Sequence, residues 1–221
     1  MHAQIADNLS PGQVNGASEG LLARGLSCQR NDRLLFENLQ LRVGPGQVCQ
    51  IDGANGSGKT SLIRILCGLA LADEGEVYWD GRDIHSFRFE FLRDLVYVGH
   101  ANGIKTDLSL LENMSIARAL SVQANERHPE DVLQQLGLLE HADLPAANLS
   151  SGQKRKLALS RLLMTDCKLW ILDEPLNSLD ENSKAIVTDI IRQHVKDGGS
   201  LVLTTHEAID WGDLAQDTVI L

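Results

Sequence analysis

The sequence predicts an α/β fold built around a phosphate-binding loop, and three observations predict it. Gly53-Ala54-Asn55-Gly56-Ser57-Gly58-Lys59-Thr60 is a glycine-rich run that closes on Lys-Thr. Val48-Cys49-Gln50-Ile51 before it reads as a buried strand, and Leu62, Ile63, Leu66 and Leu69 after it share one face of a helix over residues 60–70. Farther along, Leu169-Trp170-Ile171-Leu172 is an apolar run ending in Asp173-Glu174. That places two carboxylates at the carboxyl edge of a core strand, where α/β sheets bind ligands.

The remaining elements follow in order. Residues 1–19 are rich in Asn, Gly, Ser and Gln without periodicity, which predicts a flexible arm ahead of one domain over 20–221. Leu39, Leu41 and Val43 alternate with Gln40 and Arg42 as a strand, and Gly44-Pro45-Gly46 turns the chain into the strand that precedes the loop. Residues 76–79 form a strand ending in a tight Asp80-Gly81 turn, and residues 95–98 form another. Few strand signals occur from about 100 to 150, while residues 110–120 and 129–136 read as helices, with Pro129 suited to a first helical turn. This predicts a helical lobe inserted into the core. Alternation then resumes with helices over 154–164 and 181–195 and a strand over 201–204. The apolar ending Val219-Ile220-Leu221 carries no sign of an appended regulatory domain. Phe87, Phe89 and Phe91 alternate with charged residues, and core packing is favoured for them over an apolar docking edge.

Composition narrows the function classes. A chain of 221 residues with 43% hydrophobic and 23% charged residues has ample capacity for a core. Its net charge of −10 disfavours nucleic acid and anionic lipid as direct partners. No apolar run approaches the roughly 20 residues that span a bilayer, and no basic-then-apolar leader pattern is present. Cys28, Cys49, Cys67 and Cys167 are scattered without a CxxC pair, which predicts packed, reduced thiols in the cytosol.

The chemistry sits in the loop and in the acidic strand end. Gly53, Gly56 and Gly58 let the backbone curl so that N–H groups from Gly53 to Ser61 surround phosphates at a helix N-terminus. Lys59 supplies a point charge for the outer phosphates, and the Thr60 hydroxyl is suited to Mg²⁺. Asp173 is placed to hold that Mg²⁺ through its water shell, and Glu174 to polarise the water that attacks the terminal phosphate. Taken singly, a glycine-rich turn or a helix start decorated with acids would explain each motif. Together, in strand-loop-helix order, they predict a nucleoside triphosphate site.

Leu149-Ser150-Ser151-Gly152-Gln153 lies about twenty residues before Asp173. Alone it reads as a helix N-cap. In this order and spacing it resembles the Leu-Ser-Gly-Gly-Gln signature of the ATP-binding-cassette (ABC) ATPases. The resemblance implies a P-loop NTPase with a RecA-like core, an antiparallel β lobe and an inserted helical lobe. It further implies a head-to-tail homodimer closing on two Mg²⁺-ATP, with residues 149–153 of each copy reaching the other copy's ATP. Ser178, Leu179 and Asp180 resemble the D-loop between subunits, and Asp180 also reads as an N-cap. His206, after the strand over 201–204, resembles the switch histidine on the γ-phosphate, so Lys59, Glu174 and His206 form the implied catalytic set.

Two positions depart from the usual ABC pattern. His100 stands where a Gln normally approaches the metal-bound water; an imidazole can approach the same point, but its charge depends on pH. No aromatic is present to stack on adenine, and Arg30 falls near that place; a guanidinium can stack on a base, which predicts weak nucleotide selectivity. Ser151 replaces the usual Gly of the signature. With the phosphate loop and its helix, Val98-Gly99-His100-Ala101-Asn102-Gly103-Ile104-Lys105 resembles the ATP-binding subunits of cytochrome c maturation systems. That implies integral-membrane partner subunits, an indirect link to a periplasmic haem chaperone, and a peripheral place on the cytoplasmic face of the inner membrane. Three other readings stay open: another small exporter ATPase for a drug or lipid, a soluble ABC ATPase, and a non-catalytic nucleotide switch.

Overall fold

The computed structural model describes residues 20–221; the arm expected over residues 1–19 lies outside the described residues. Two sheets organise the chain. The first is antiparallel, with β1 (Leu21–Arg30), β2 (Arg33–Val43), β4 (Glu74–Trp79) and the short β5 (Arg82–Asp83) in the order β2-β1-β4-β5. The second is parallel, with β3 (Gln47–Asp52), β6 (Leu95–Val98), β7 (Leu169–Asp173), β8 (Ser200–Thr204) and β9 (Ala215–Ile220) in the order β6-β7-β8-β3-β9.

The central parallel strands are apolar on both sides because both sides are covered. Leu169 and Ile171 of β7 join the core shared with α1 (Lys59–Leu66) and the antiparallel sheet. Their neighbours Trp170 and Leu172 join the core shared with α5 (Ser151–Leu163), α6 (Glu181–Lys196) and the helical lobe. β8 divides in the same way, with Val202 on the first side and Leu201 and Leu203 on the second. The period of two therefore builds two cores from one sheet.

Residues 100–150 hold α3 (Leu110–Leu120), α4 (Pro129–Gln135) and two 3-10 turns, and no strand of either sheet. Ser109 caps α3 by accepting the Glu112 N–H at 3.2 Å, while Glu112 reaches back to the Ser109 N–H at 2.7 Å.

Four expectations need correction. The helix after the loop ends at Leu66 rather than residue 70, because the chain turns at Gly68 (φ +66°), and Leu69 is exposed. Of the three alternating phenylalanines, Phe91 is buried but Phe87 and Phe89 are exposed. They lie on or beside α2 (Arg88–Asp94), a helix, so a strand-like alternation in the sequence puts only Phe91 inward. β1 and β9 carried no predicted strand. Register shifts interrupt β1 near Gly25 (φ +60°) and so break its period, and β9 buries Val219 alone.

At the amino edge of the parallel sheet, the Trp170 indole stacks on the His194 imidazole with ring centroids 3.7 Å apart. Burial pulls this imidazole down from 6.5 to about 4. Between those two values the unfolded chain binds a proton that the folded chain refuses. This cost is absent above about pH 6.5 and removes stability as pH falls towards 4, by up to about 3 kcal/mol. A His194→Phe chain, which keeps the stack, is expected to show a flatter fall of urea-unfolding free energy across that window. An unchanged slope would assign the acid sensitivity to other groups.

Candidate active site

Four strand ends and one helix start meet at the carboxyl edge of the parallel sheet. The loop between β3 and α1 turns through positive φ at Gly53 (151°), Gly56 (77°) and Gly58 (115°). At Gly53 a Cβ would also come within 2.8 Å of the Leu221 carbonyl, so crowding and conformation both demand glycine there. Gly56 has open space around it, and its conformation alone explains the residue.

Lys59 opens α1 and is buried, with its Nζ donating to the carbonyls of Gly53 at 2.6 Å and Ala54 at 3.2 Å. The ammonium therefore rests against the loop it belongs to. Beside it, the Thr60 hydroxyl donates to Asp173 Oδ2 at 3.2 Å, and the Thr204 hydroxyl donates to Asp173 Oδ1 at 2.7 Å. Asp173 is only 3% exposed, so these hydroxyls compensate its buried carboxylate.

Glu174 follows with φ +52°, a left-handed backbone uncommon outside glycine. Its N–H is held by both Thr204 oxygens, at 3.0 Å to Oγ1 and 3.2 Å to the carbonyl. Its Oε1 lies 3.2 Å from His206 Nε2, with the carboxylate side chain 11% exposed and the imidazole 51% exposed. Leu35, Asn55, Gly56, Gly58, Lys59, Thr60, Ser61, His100, Asp173, Glu174, Asn177 and His206 line one cleft of about 470 Å³. A larger cleft of about 760 Å³ opens at the opposite, amino edge of the sheet beside Trp170 and His194, and it holds none of the predicted site residues.

The structure thus gathers Lys59, Thr60, Ser61, His100, Asp173, Glu174 and His206 into one cleft. Arg30 is not among its lining. Its guanidinium donates to the carbonyls of Gln29 and Leu71 and pairs with Asp73 at 3.7 Å. The side chain that β2 brings to the loop is Leu35, whose Cβ would lie 3.1 Å from a Cβ on Gly58.

Residues 149–153 also stand outside this cleft. Ser150 caps α5, accepting the Gln153 N–H at 3.2 Å, and Gln153 Oε1 accepts the Ser150 N–H at 2.8 Å. Leu149 is buried, while Ser150 and Ser151 are exposed. Gly152 is pressed against the 178–180 turn, where a Cβ would meet the Ser178 carbonyl at 2.6 Å. Asp180 caps α6 by accepting the Ser183 N–H at 2.7 Å, and Leu179 is buried. The capping readings of Ser150 and Asp180 both hold.

Sequence reasoning missed Thr204, Leu35 and Arg155. Thr204 ends an apolar strand beside His206, a position that invites a polar role. Arg155 shares a helix face with the buried Ala158, Leu159 and Leu162, and a charge at that spacing is the signal that could have found it. Burial lowers its guanidinium from the ordinary value, and the Asp173 carboxylate opposes that shift.

The oxygen donors Thr60 and Asp173, 3.2 Å apart beside the loop, fit a hard divalent cation such as Mg²⁺. No cluster of three or more His, Cys, Asp or Glu able to hold a metal occurs among the described residues. A two-residue oxygen set of this kind suits a cation held mainly by phosphate and water.

Comparison with known proteins places these features in context. A family model described as ABC transporter matches residues 36–177. The chain is 47% identical over 191 residues to the "Cytochrome c biogenesis ATP-binding export protein CcmA" of Methylococcus capsulatus, covering 86% of this chain and 92% of that protein. It is 45% identical to the protein of the same name from Nitrosomonas europaea, covering 86% and 90%. Among solved structures, a putative ABC transporter ATP-binding protein from Pyrococcus furiosus superposes with a TM-score of 0.77 at 21% identity, covering 91% of this chain and 98% of that one. A dimeric ATP-binding cassette in a post-hydrolysis state, bound to ADP and Pi, superposes with a TM-score of 0.74 at 21% identity, covering 85% and 88%. These two superpositions carry the fold.

Proposed function

The chain belongs to the ABC transporter family as an ATP-binding domain, and we propose that it is the ATP-hydrolysing subunit of a membrane complex for cytochrome c biogenesis. The observation that supports this most is the convergence of Thr60, Asp173, Glu174 and His206 beside the glycine-rich loop, in a chain 41–47% identical to eight relatives of one name.

In this reading the loop and Lys59 bind the β- and γ-phosphates, with Ser61 beside them. Mg²⁺, held by Thr60 and Asp173, would neutralise charge on the phosphates. Glu174 accepts a proton from the attacking water, and His206, whose Nε2 lies 3.2 Å from Glu174 Oε1, holds the γ-phosphate side of the cleft. His100 faces the same cleft from the loop after β6. Ser150 to Gln153 reach the partner copy's ATP, and the 178–180 turn, touching Gly152, links the two half-sites. ATP binding favours the closed dimer; hydrolysis and phosphate release open it.

No described helix is long and apolar enough to cross a membrane. In the proposed complex the work is delivered through integral-membrane partner subunits at the cytoplasmic face, where it powers haem export or release of a haem-loaded periplasmic chaperone. To test this, the native gene is replaced by a Glu174→Gln copy and covalent haem is quantified in periplasmic c-type cytochromes. Selective loss, restored by the parent chain, is the expected result. Normal cytochromes with a hydrolytically dead variant would keep the ATPase and redirect it to another exported cargo.

A further inference from the structure

Arg155 sits two residues beyond Gln153 on α5 and is 4% exposed. All five of its N–H groups find acceptors. Nε donates to the Pro175 carbonyl at 3.2 Å. Nη2 donates to the carbonyls of Asp173 at 2.7 Å and Glu174 at 2.8 Å. Nη1 donates to the Gly99 carbonyl at 2.8 Å and to Asn102 Oδ1 at 3.3 Å. These partners are four main-chain carbonyls and one amide oxygen, none a carboxylate. A cation removed from water without an ionic partner is costly, and a well-packed apolar side chain would serve stability as well. What the guanidinium adds is a rigid fork that fixes two separate loops against one helix.

We propose that Arg155 is a positioning residue for hydrolysis, tying the backbone that aims the Glu174 carboxylate, and the loop that carries His100, to the helix that Ser150 caps. The inference rests on the reading of Glu174 as the group that activates water. Thr204 anchors the N–H side of Glu174 and Arg155 anchors its carbonyl side, so the left-handed residue is held from both ends. Gly99, whose carbonyl takes Nη1, immediately precedes His100. A shift of α5 therefore carries both loops with it. The helix that reaches the partner's nucleotide thereby sets the catalytic geometry in its own half-site.

The test compares Arg155→Gln and Arg155→Lys in the complex purified through a tag on this chain. Fluorescent-nucleotide affinity and KM for ATP stay within about threefold, while kcat falls roughly 10²-fold for Gln, the scale of an ångström of misplacement. Lys keeps the charge but has at most three donors, and it recovers about tenfold of that loss. In a Glu174→Gln background, Arg155→Gln costs less than about twofold more, because both changes act through one carboxylate. Parental kcat in a folded Arg155→Gln complex overturns the proposal, as does a loss that multiplies with that of Glu174→Gln. Where melting shows that the Gln chain does not fold, the Lys chain carries the same test, and parental kcat there overturns it equally. A Glu174→Gln complex that is dead beside a parental Arg155→Gln complex removes this inference alone. A parental Glu174→Gln complex removes both it and the reading beneath it.

Discussion

Glu174→Gln is expected to leave ATP affinity within a few-fold of the parent and to lower turnover by roughly 10²–10⁴-fold. Glutamine has the same shape and keeps an oxygen at the position that meets His206 Nε2 at 3.2 Å. The backbone that carries it is untouched, since Thr204 holds the N–H of residue 174 and Arg155 its carbonyl. The lost property is the ability to take a proton from water, so the defect falls on kcat rather than on KM. Binding without hydrolysis should also collect the ATP-loaded closed dimer, visible as a shift in size-exclusion elution that appears with ATP and not with ADP. Turnover within twofold of the parent would remove Glu174 from the mechanism and leave the cleft without its base.

Much of this site was legible because its motifs are local. A strand-loop-helix unit and an apolar run ending in Asp-Glu each announce themselves within a dozen residues, and Lys59, Thr60, Asp173 and Glu174 converge as that reading requires. The parallel strands at 95–98 and 169–172 were equally plain, since each is an unbroken run of aliphatic and aromatic residues, the second buried on both faces. What escaped depends on distance or on broken period. Thr204 matters only because β8 runs beside β7 and sets its hydroxyl against Asp173. Arg155 matters through carbonyls that lie 18 to 56 residues away in sequence, and a carbonyl has no signature in the one-letter code.

Arg30 illustrates the opposite error. The family pattern put it near the place of the base-stacking aromatic, but Asp73 and the Leu71 carbonyl hold its guanidinium, and Leu35 is the side chain beside Gly58. β1 was missed for a related reason. Its hairpin partner β2 begins after Asn31 and Asp32, both at positive φ, a two-residue turn that flags a hairpin even where Gly25 has broken the alternation.

Lys59→Ala tests the other half of the site, and its expected effect has two parts. The ammonium now donates to the carbonyls of Gly53 and Ala54, and a triphosphate must draw it away from them. Removing it deletes a charge-assisted contact with phosphate and leaves two loop carbonyls without their donor. The first part is worth about 1.5–3 kcal/mol, which weakens ATP binding by roughly 10–150-fold in a nucleotide titration. The second part loosens the loop, so proteolysis near residue 55 should quicken without nucleotide and slow less when ATP is added. Lys59→Arg is expected to rescue poorly despite keeping the charge. A planar fork does not fit the seat that a compact ammonium takes against the Gly53 and Ala54 carbonyls, where the residue is only 8% exposed. An Arg chain with parental affinity would show that charge alone governs phosphate capture here, and that the seat between Gly53 and Ala54 is incidental to it.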